Sequence, residues 1–263
     1  MGYFLYLAFI FITGIVIGSF LNVLIYRLPR NLAILGRSFC PKCKKKISWQ
    51  DNIPLLSFVL LGGKCRSCRS PISWQYPIVE LLTGILFTLI YLSKTSPLGS
   101  PFGHPWGGFW ELLFTLFIAS SLLVIFFTDL KYGIIPDKIV FPLLILTIIY
   151  LFIIPNSLFL SHFWSAIGAA AFFLLLNLVT RGRGMGLGDV KLAFLMGLLL
   201  GFPKIIVALY LAFLTGAAVS LILVLIGKKK FGQTIPFGPF LVAGTLIAMF
   251  FNNVILNVVK NLL

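Results

Sequence analysis

Apolar residues occur in this chain as long, separated runs, and that spacing constrains the fold more than any single motif. Eight runs, at about 3–26, 76–93, 110–128, 138–154, 162–180, 190–201, 203–226 and 236–258, are candidates to cross a bilayer. A hydrocarbon layer about 30 Å thick takes roughly 20 helical residues. With 60% hydrophobic and 10% charged residues, a soluble domain of 263 residues cannot hide so much apolar surface. Backbone polar groups facing lipid have no partner unless the segment is helical. The expected fold is therefore an all-α polytopic membrane protein of about eight transmembrane helices. The sixth run is short and Pro203 separates it from the seventh, so the count rests least on that pair. "NVLIYRLPR", rather than a small-residue cleavage site, follows the first run, which reads as a retained span.

A formal net charge of +15 invites a nucleic-acid reading, and its placement argues against one. Nearly half of the 21 Lys and Arg residues lie between Arg27 and Arg69, and most others sit in short loops. With the N-terminus outside, the cytoplasmic loops become 27–75, 129–137, 181–189 and 227–235. Together with the flanking Lys138 and Lys191 they hold every basic residue except Lys94, Lys204 and Lys260. That asymmetry is the signature of membrane orientation rather than of a groove-binding face. It implies lipid as a partner, anionic headgroups included, and no nucleic acid.

The chain then divides into a first transmembrane helix (1–26), a cytoplasmic loop domain (27–75) and a transmembrane bundle (76–263). The loop holds all four cysteines, as Cys40-x-x-Cys43 and Cys65-x-x-Cys68. Two-residue spacing lets both sulfurs of a turn face one ion, and two such turns complete a tetrahedral four-thiolate zinc site. "CPKCKKKISWQ" returns twenty-five residues later as "CRSCRSPISWQ", which predicts two similar half-sites. Trp49 and Trp74 are expected to pack beside the ion or rest at the membrane interface. A cytoplasmic loop keeps its thiols reduced, so disulfides are disfavoured. Four thiolates leave no open position, which makes the ion structural.

Only six residues are acidic. Asp51 and Glu111 read as solvated, and Asp137, after Pro136, reads as a helix N-cap. Glu80, about one turn inside the second run, should face protein or a cation. Asp129, in "FFTDLKYGIIPD", ends the third run, and Asp189, in "GMGLGDVK", begins the sixth. Taken singly, Asp189 reads as an N-cap after Gly188 and Asp129 as a partner for Lys131. Taken together they are two carboxylates at one membrane depth, a placement that points to function. Two carboxylates brought close cannot both ionise. The ionised one can take a proton from water while the protonated one polarises a peptide carbonyl. Gly184, Gly186 and Gly188 would let an extended substrate approach the backbone. His104 and His162 fall on the opposite side of the membrane and offer no competing triad.

These motifs resemble those of the bacterial type IV prepilin peptidases, intramembrane aspartyl proteases of the GxGD type. The resemblance rests on "TDLKYGIIPD" (128–137), "GMGLGDVKL" (184–192), "GSFLNVLIYRLP" (18–29), the doubled cysteine motif and "YPIVELLTG" (76–84). It implies that Asp129 and Asp189 are the catalytic pair. It also implies cleavage of the basic leader of type IV prepilins and type II secretion pseudopilins at the cytoplasmic face of the inner membrane. Methylation of the new N-terminal residue with S-adenosylmethionine is implied as well, with Asn22, Glu80 and Gly84 as candidates for that step. Three readings compete. A presenilin-like protease would cut other transmembrane helices, a transporter would relay ions through the two acids, and a scaffold would tolerate their loss.

Overall fold

The computed structural model describes residues 2–95, 108–153, 158–182, 184–228 and 235–250. The expectations for His104, Arg183, Lys229, Lys230, Lys260 and the 251–258 end of the eighth run concern residues outside these ranges. Every described element is helical apart from two isolated β-bridges. The apolar helices are α1 (Gly2–Arg27), α3 (Gln75–Thr95), α4 (Phe109–Tyr132), α5 (Asp137–Ile153), α6 (Leu158–Val179), α7 (Leu187–Leu200), α8 (Lys204–Leu225) and α9 (Gly238–Phe250). The short α2 (Leu56–Leu60) belongs to the cysteine loop. The chain is an all-α polytopic membrane protein.

The eight expected crossing helices are all present as helices, but five among the described residues are long and apolar enough to span: α1, α3, α4, α6 and α8. Of the others, α7 is described beyond both ends and is short, its 14 residues reaching about 21 Å at 1.5 Å per residue. Gly186 precedes it, and Gly201, at φ +64°, ends it. Residues 192, 193 and 195–200 of α7 are all buried, so protein rather than lipid surrounds it. A helix that is apolar all round need not be a span.

The chain forms two compact units. The first comprises α1, α2, α3, the cysteine loop and α4 as far as Val124. Here α1 and α3 cross with almost no space between backbones. A Cβ at Gly14 would lie 2.7 Å from the Gly84 Cα, and one at Gly18 2.7 Å from the Glu80 Cα. Small residues four apart are what allow such an approach in lipid, where packing replaces the hydrophobic effect. At the end of α1, buried Arg27 sends its guanidinium to five successive carbonyls, those of Ala33, Ile34, Leu35, Gly36 and Arg37, at 2.8–3.2 Å.

The second unit comprises the rest of α4, from Ile125, and α5–α9. Close packing again sets helix positions: Gly197 of α7 meets the backbone of Ala166 on α6, and Gly244 of α9 meets the Ala208 carbonyl of α8. Leu151, Ala166 and Leu198 form a buried cluster with Leu144, Ile148, Phe159 and Phe194 around it. His162 on α6 bonds the Leu198 carbonyl through Nδ1 at 2.7 Å, which gives that histidine a structural role.

Candidate active site

Asp129 lies within the last turns of α4, not in a loop after it. An apolar run ends at Phe127, whereas the helix continues through polar residues to Tyr132. The side chain is buried, 5% exposed. Its Oδ2 accepts a hydrogen bond of 2.9 Å from the Gly238 backbone N–H, where α9 begins. The first amides of a helix have no acceptor within it. The carboxyl therefore takes a free donor at the positive end of the α9 dipole.

Asp189 is the third residue of α7 and is likewise buried, 8% exposed. The N-cap is Gly186, three residues earlier, so Asp189 is not the cap itself. Its Oδ2 reaches back to accept the Gly186 N–H at 2.9 Å, which is the returning half of a capping box. The expectation of an N-cap after Gly188 is corrected on this point. An aspartate side chain is long enough to satisfy the cap amide from inside the first turn.

The two aspartate motifs meet. A Cβ at Gly188 would lie 3.2 Å from the Ile135 Cβ. Lys191 on α7 pairs with Asp137, in the first turn of α5, at 2.8 Å. The glycine turn is braced from α6: Asn177 Nδ2 donates to the Met185 carbonyl at 2.6 Å, and the Thr180 hydroxyl accepts the Gly184 N–H at 3.2 Å. Gly186 is extended, at φ −84° and ψ 158°. Its glycine is not demanded by backbone conformation.

In the first unit the four cysteine Sγ atoms lie within 4.8 Å of one another, with Cys40 and Cys68 3.9 Å apart. A tetrahedron with 2.3 Å metal–sulfur bonds has sulfur spacings of about 3.8 Å, so the set fits a metal ion. The sequence repeat is also a structural repeat. The carbonyl of Cys40 accepts the Lys44 N–H and that of Cys65 the Arg69 N–H, each at 2.9 Å. Lys44 and Arg69 both adopt positive φ, at 60° and 54°. Bridges close each turn at Phe39–Lys46 and Lys64–Pro71. Burial opposes ionisation of Cys40, but the amides of Cys43 and Lys42 and neighbouring thiols outweigh it and bring this thiol to about 6. The Lys45 amide favours the Cys43 thiolate, yet desolvation and the sulfurs of Cys40 and Cys68 push it up to about 11. Trp49 and Trp74 are largely exposed. The Trp74 ring contacts Phe58 at 5.0 Å.

The three residues expected from the sequence to serve methyl transfer lie on α1 and α3, whose backbones cross closely. Asn22 is buried and donates Nδ2 to the Tyr76 carbonyl at 3.0 Å, while its buried Oδ1 has no hydrogen-bond partner among the described residues. Glu80 is buried and its Oε2 accepts the Leu55 N–H at 2.8 Å. Gly84 lies at the tight crossing, where a Cβ would come 2.9 Å from Ile15 and 3.0 Å from Phe11.

Comparison with known proteins agrees with this division. Residues 12–94 match the bacterial peptidase A24 N-terminal domain, and residues 116–221 match the type IV leader peptidase family. The chain is 34% identical to the prepilin leader peptidase/N-methyltransferase of Legionella pneumophila, over 93% of this chain and 91% of that protein. It is 33% identical to that of Aeromonas hydrophila, over 93% and 90%, and 32% identical to that of Bacillus subtilis, over 95% and 96%. The chain belongs to the type IV leader peptidase family. No solved structure matches it.

In this leader peptidase, sequence reasoning missed two residues that the structure brings into view. Arg27 looks like one more loop cation, yet it is buried against backbone carbonyls. Gly238 sits in "IPFGPF", beyond the stretch matched by the catalytic family model. Its signal was a glycine between two prolines at a helix start, which composition treats as a turn.

Proposed function

We propose that this type IV leader peptidase removes the basic leader of type IV prepilins and type II secretion pseudopilins, with Asp129 and Asp189 as the catalytic pair. The observation that carries the reading is that the two aspartate motifs pack together in one compact unit and that each buried carboxyl is held at Oδ2 by a glycine amide. Anchoring Oδ2 leaves Oδ1 of each to meet water and the scissile peptide. One carboxylate takes a proton from water while the other, protonated, donates to the peptide carbonyl; the proton then passes to the leaving nitrogen. The glycine turn at Gly186 and Gly188 lies beside this pair and suits an extended substrate backbone.

The new N-terminal amine is then methylated. S-adenosylmethionine, when bound, supplies the methyl group. The unpartnered Asn22 Oδ1 and the Glu80 carboxyl suit a cationic cofactor or substrate ammonium, and Gly84 holds the crossing that brings them together. Cys40, Cys43, Cys65 and Cys68 hold a structural zinc ion, a reading supported by their all-sulfur donor set and spacing. The protein resides in the inner membrane with the zinc loop and aspartates on the cytoplasmic side, as the distribution of basic residues favours. Lipid surrounds the spans, and nucleic acid has no role.

Membranes carrying a prepilin provide the test, with wild type compared with Asp129→Asn and Asp189→Asn at matched expression. Each variant should lose cleavage by about 10²–10⁴-fold, with metal content unchanged. Wild-type processing by either variant would sink the two-aspartate reading.

A further inference from the structure

The hydrogen bond that α9 gives to Asp129 has a steric condition attached to it. A Cβ on Gly238 would lie 2.6 Å from the Asp129 Oδ2 and 3.0 Å from its Cγ. Gly186 differs: a Cβ there would lie at an ordinary 3.6 Å from the Asp189 Oδ2. Nor does Gly238 adopt the positive φ that would demand glycine for conformational reasons. What excludes a side chain is the carboxyl itself.

The neighbouring residues fix this amide in place. Phe240 and Leu241 donate their N–H groups to the Phe237 carbonyl at 3.0 and 3.2 Å, which starts α9 at this point. The next residue, Pro239, has no N–H to offer, so the Gly238 amide is the donor that remains nearby. The Phe237 ring packs against Phe213 at 5.0 Å and Phe173 at 6.2 Å, which ties the segment to α8 and α6. We infer that Gly238 is a positioning residue for leader cleavage: its backbone N–H fixes Oδ2 of Asp129, and its missing side chain is what permits that approach. The inference rests on the reading of Asp129 as catalytic and adds a third segment to the reaction centre. Asp189 is set by its own helix start, whereas Asp129 is set by a residue 109 positions away.

The test pairs kinetics with a spectroscopic signature. Gly238→Ala should lower kcat for prepilin cleavage by about a hundredfold, the effect expected of a displaced reacting group, with KM little changed. Gly244→Ala, which lies further along α9 and crowds the Ala208 carbonyl of α8 rather than the bonded amide, should lower folded yield while leaving kcat of the folded fraction near wild type. Labelling phenylalanine carbonyl carbon and glycine nitrogen together selects three amides by sequence, those of Gly103, Gly232 and Gly238. In Asp129→Ala the Gly238 proton resonance should move upfield while the other two stay in place. This arm decides the matter even if Gly238→Ala does not fold. An unmoved Gly238 resonance, or wild-type kcat in Gly238→Ala, would overturn the inference. Failure of the wild-type enzyme to cleave any prepilin would instead overturn the peptidase reading.

Discussion

The cysteine loop and the aspartate pair assemble their reactive groups over very different distances along the chain. Each cysteine half-site is made within one short turn, and the second copies the first down to the positive φ of Lys44 and Arg69. The aspartate pair draws on the end of α4, the start of α7 and the start of α9, whose positions depend on helix packing throughout the second unit. The four-cysteine cluster is thus built largely from local turns. The aspartate site is a by-product of helix packing and inherits every error in it.

Breaking the local site should give the largest effect. Cys43→Ser with Cys68→Ser should take metal content from one ion per chain to none, read by elemental analysis, and expose the 38–75 loop to trypsin. Cleavage by the folded enzyme should fall far less than in the aspartate variants, because the metal fixes backbone rather than reacting atoms. An equal loss would mean the two sites are coupled.

The packed helices offer the opposite perturbation. Gly197→Ala forces a side chain against the Ala166 backbone, which should destabilise by about 1–3 kcal/mol. Thermal unfolding in detergent should show the loss, and metal content should not change. Arg27→Lys tests the boundary between local and non-local order in the first unit. A lysine cannot span five carbonyls, so the cost should be about 2 kcal/mol, with faster proteolysis between residues 31 and 37.

The smallest effect belongs to the ion pair of Arg66 with Asp51. The guanidinium bonds both Asp51 oxygens at 2.7–3.1 Å and holds this carboxyl below its ordinary range. Its stabilisation is therefore complete above the unfolded pKa of Asp51 and fades as pH falls through the lower folded value. Arg66 is well exposed, so Asp51→Asn should change loop protection only slightly. A large change would show that the pair organises the metal turn.

Much of this protein follows from the sequence alone. Eight apolar runs became eight helices because an apolar surround, lipid or protein, leaves the backbone to satisfy itself, and the doubled cysteine motif became a doubled turn because its hydrogen bonds are local. The acids at 129 and 189 stood out in the sequence because charge near a membrane is costly without a partner. Tertiary structure decided the rest. It made α7 a buried helix rather than a full span, since hydropathy does not distinguish a protein environment from a lipid one. It set Asp189 at a capping position inside the first turn of α7 and brought Gly238 to Asp129. Apolar periodicity records which residues avoid water. It does not record which helix ends meet, and that is settled by contacts as close as Gly197 on Ala166 and Gly244 on Ala208.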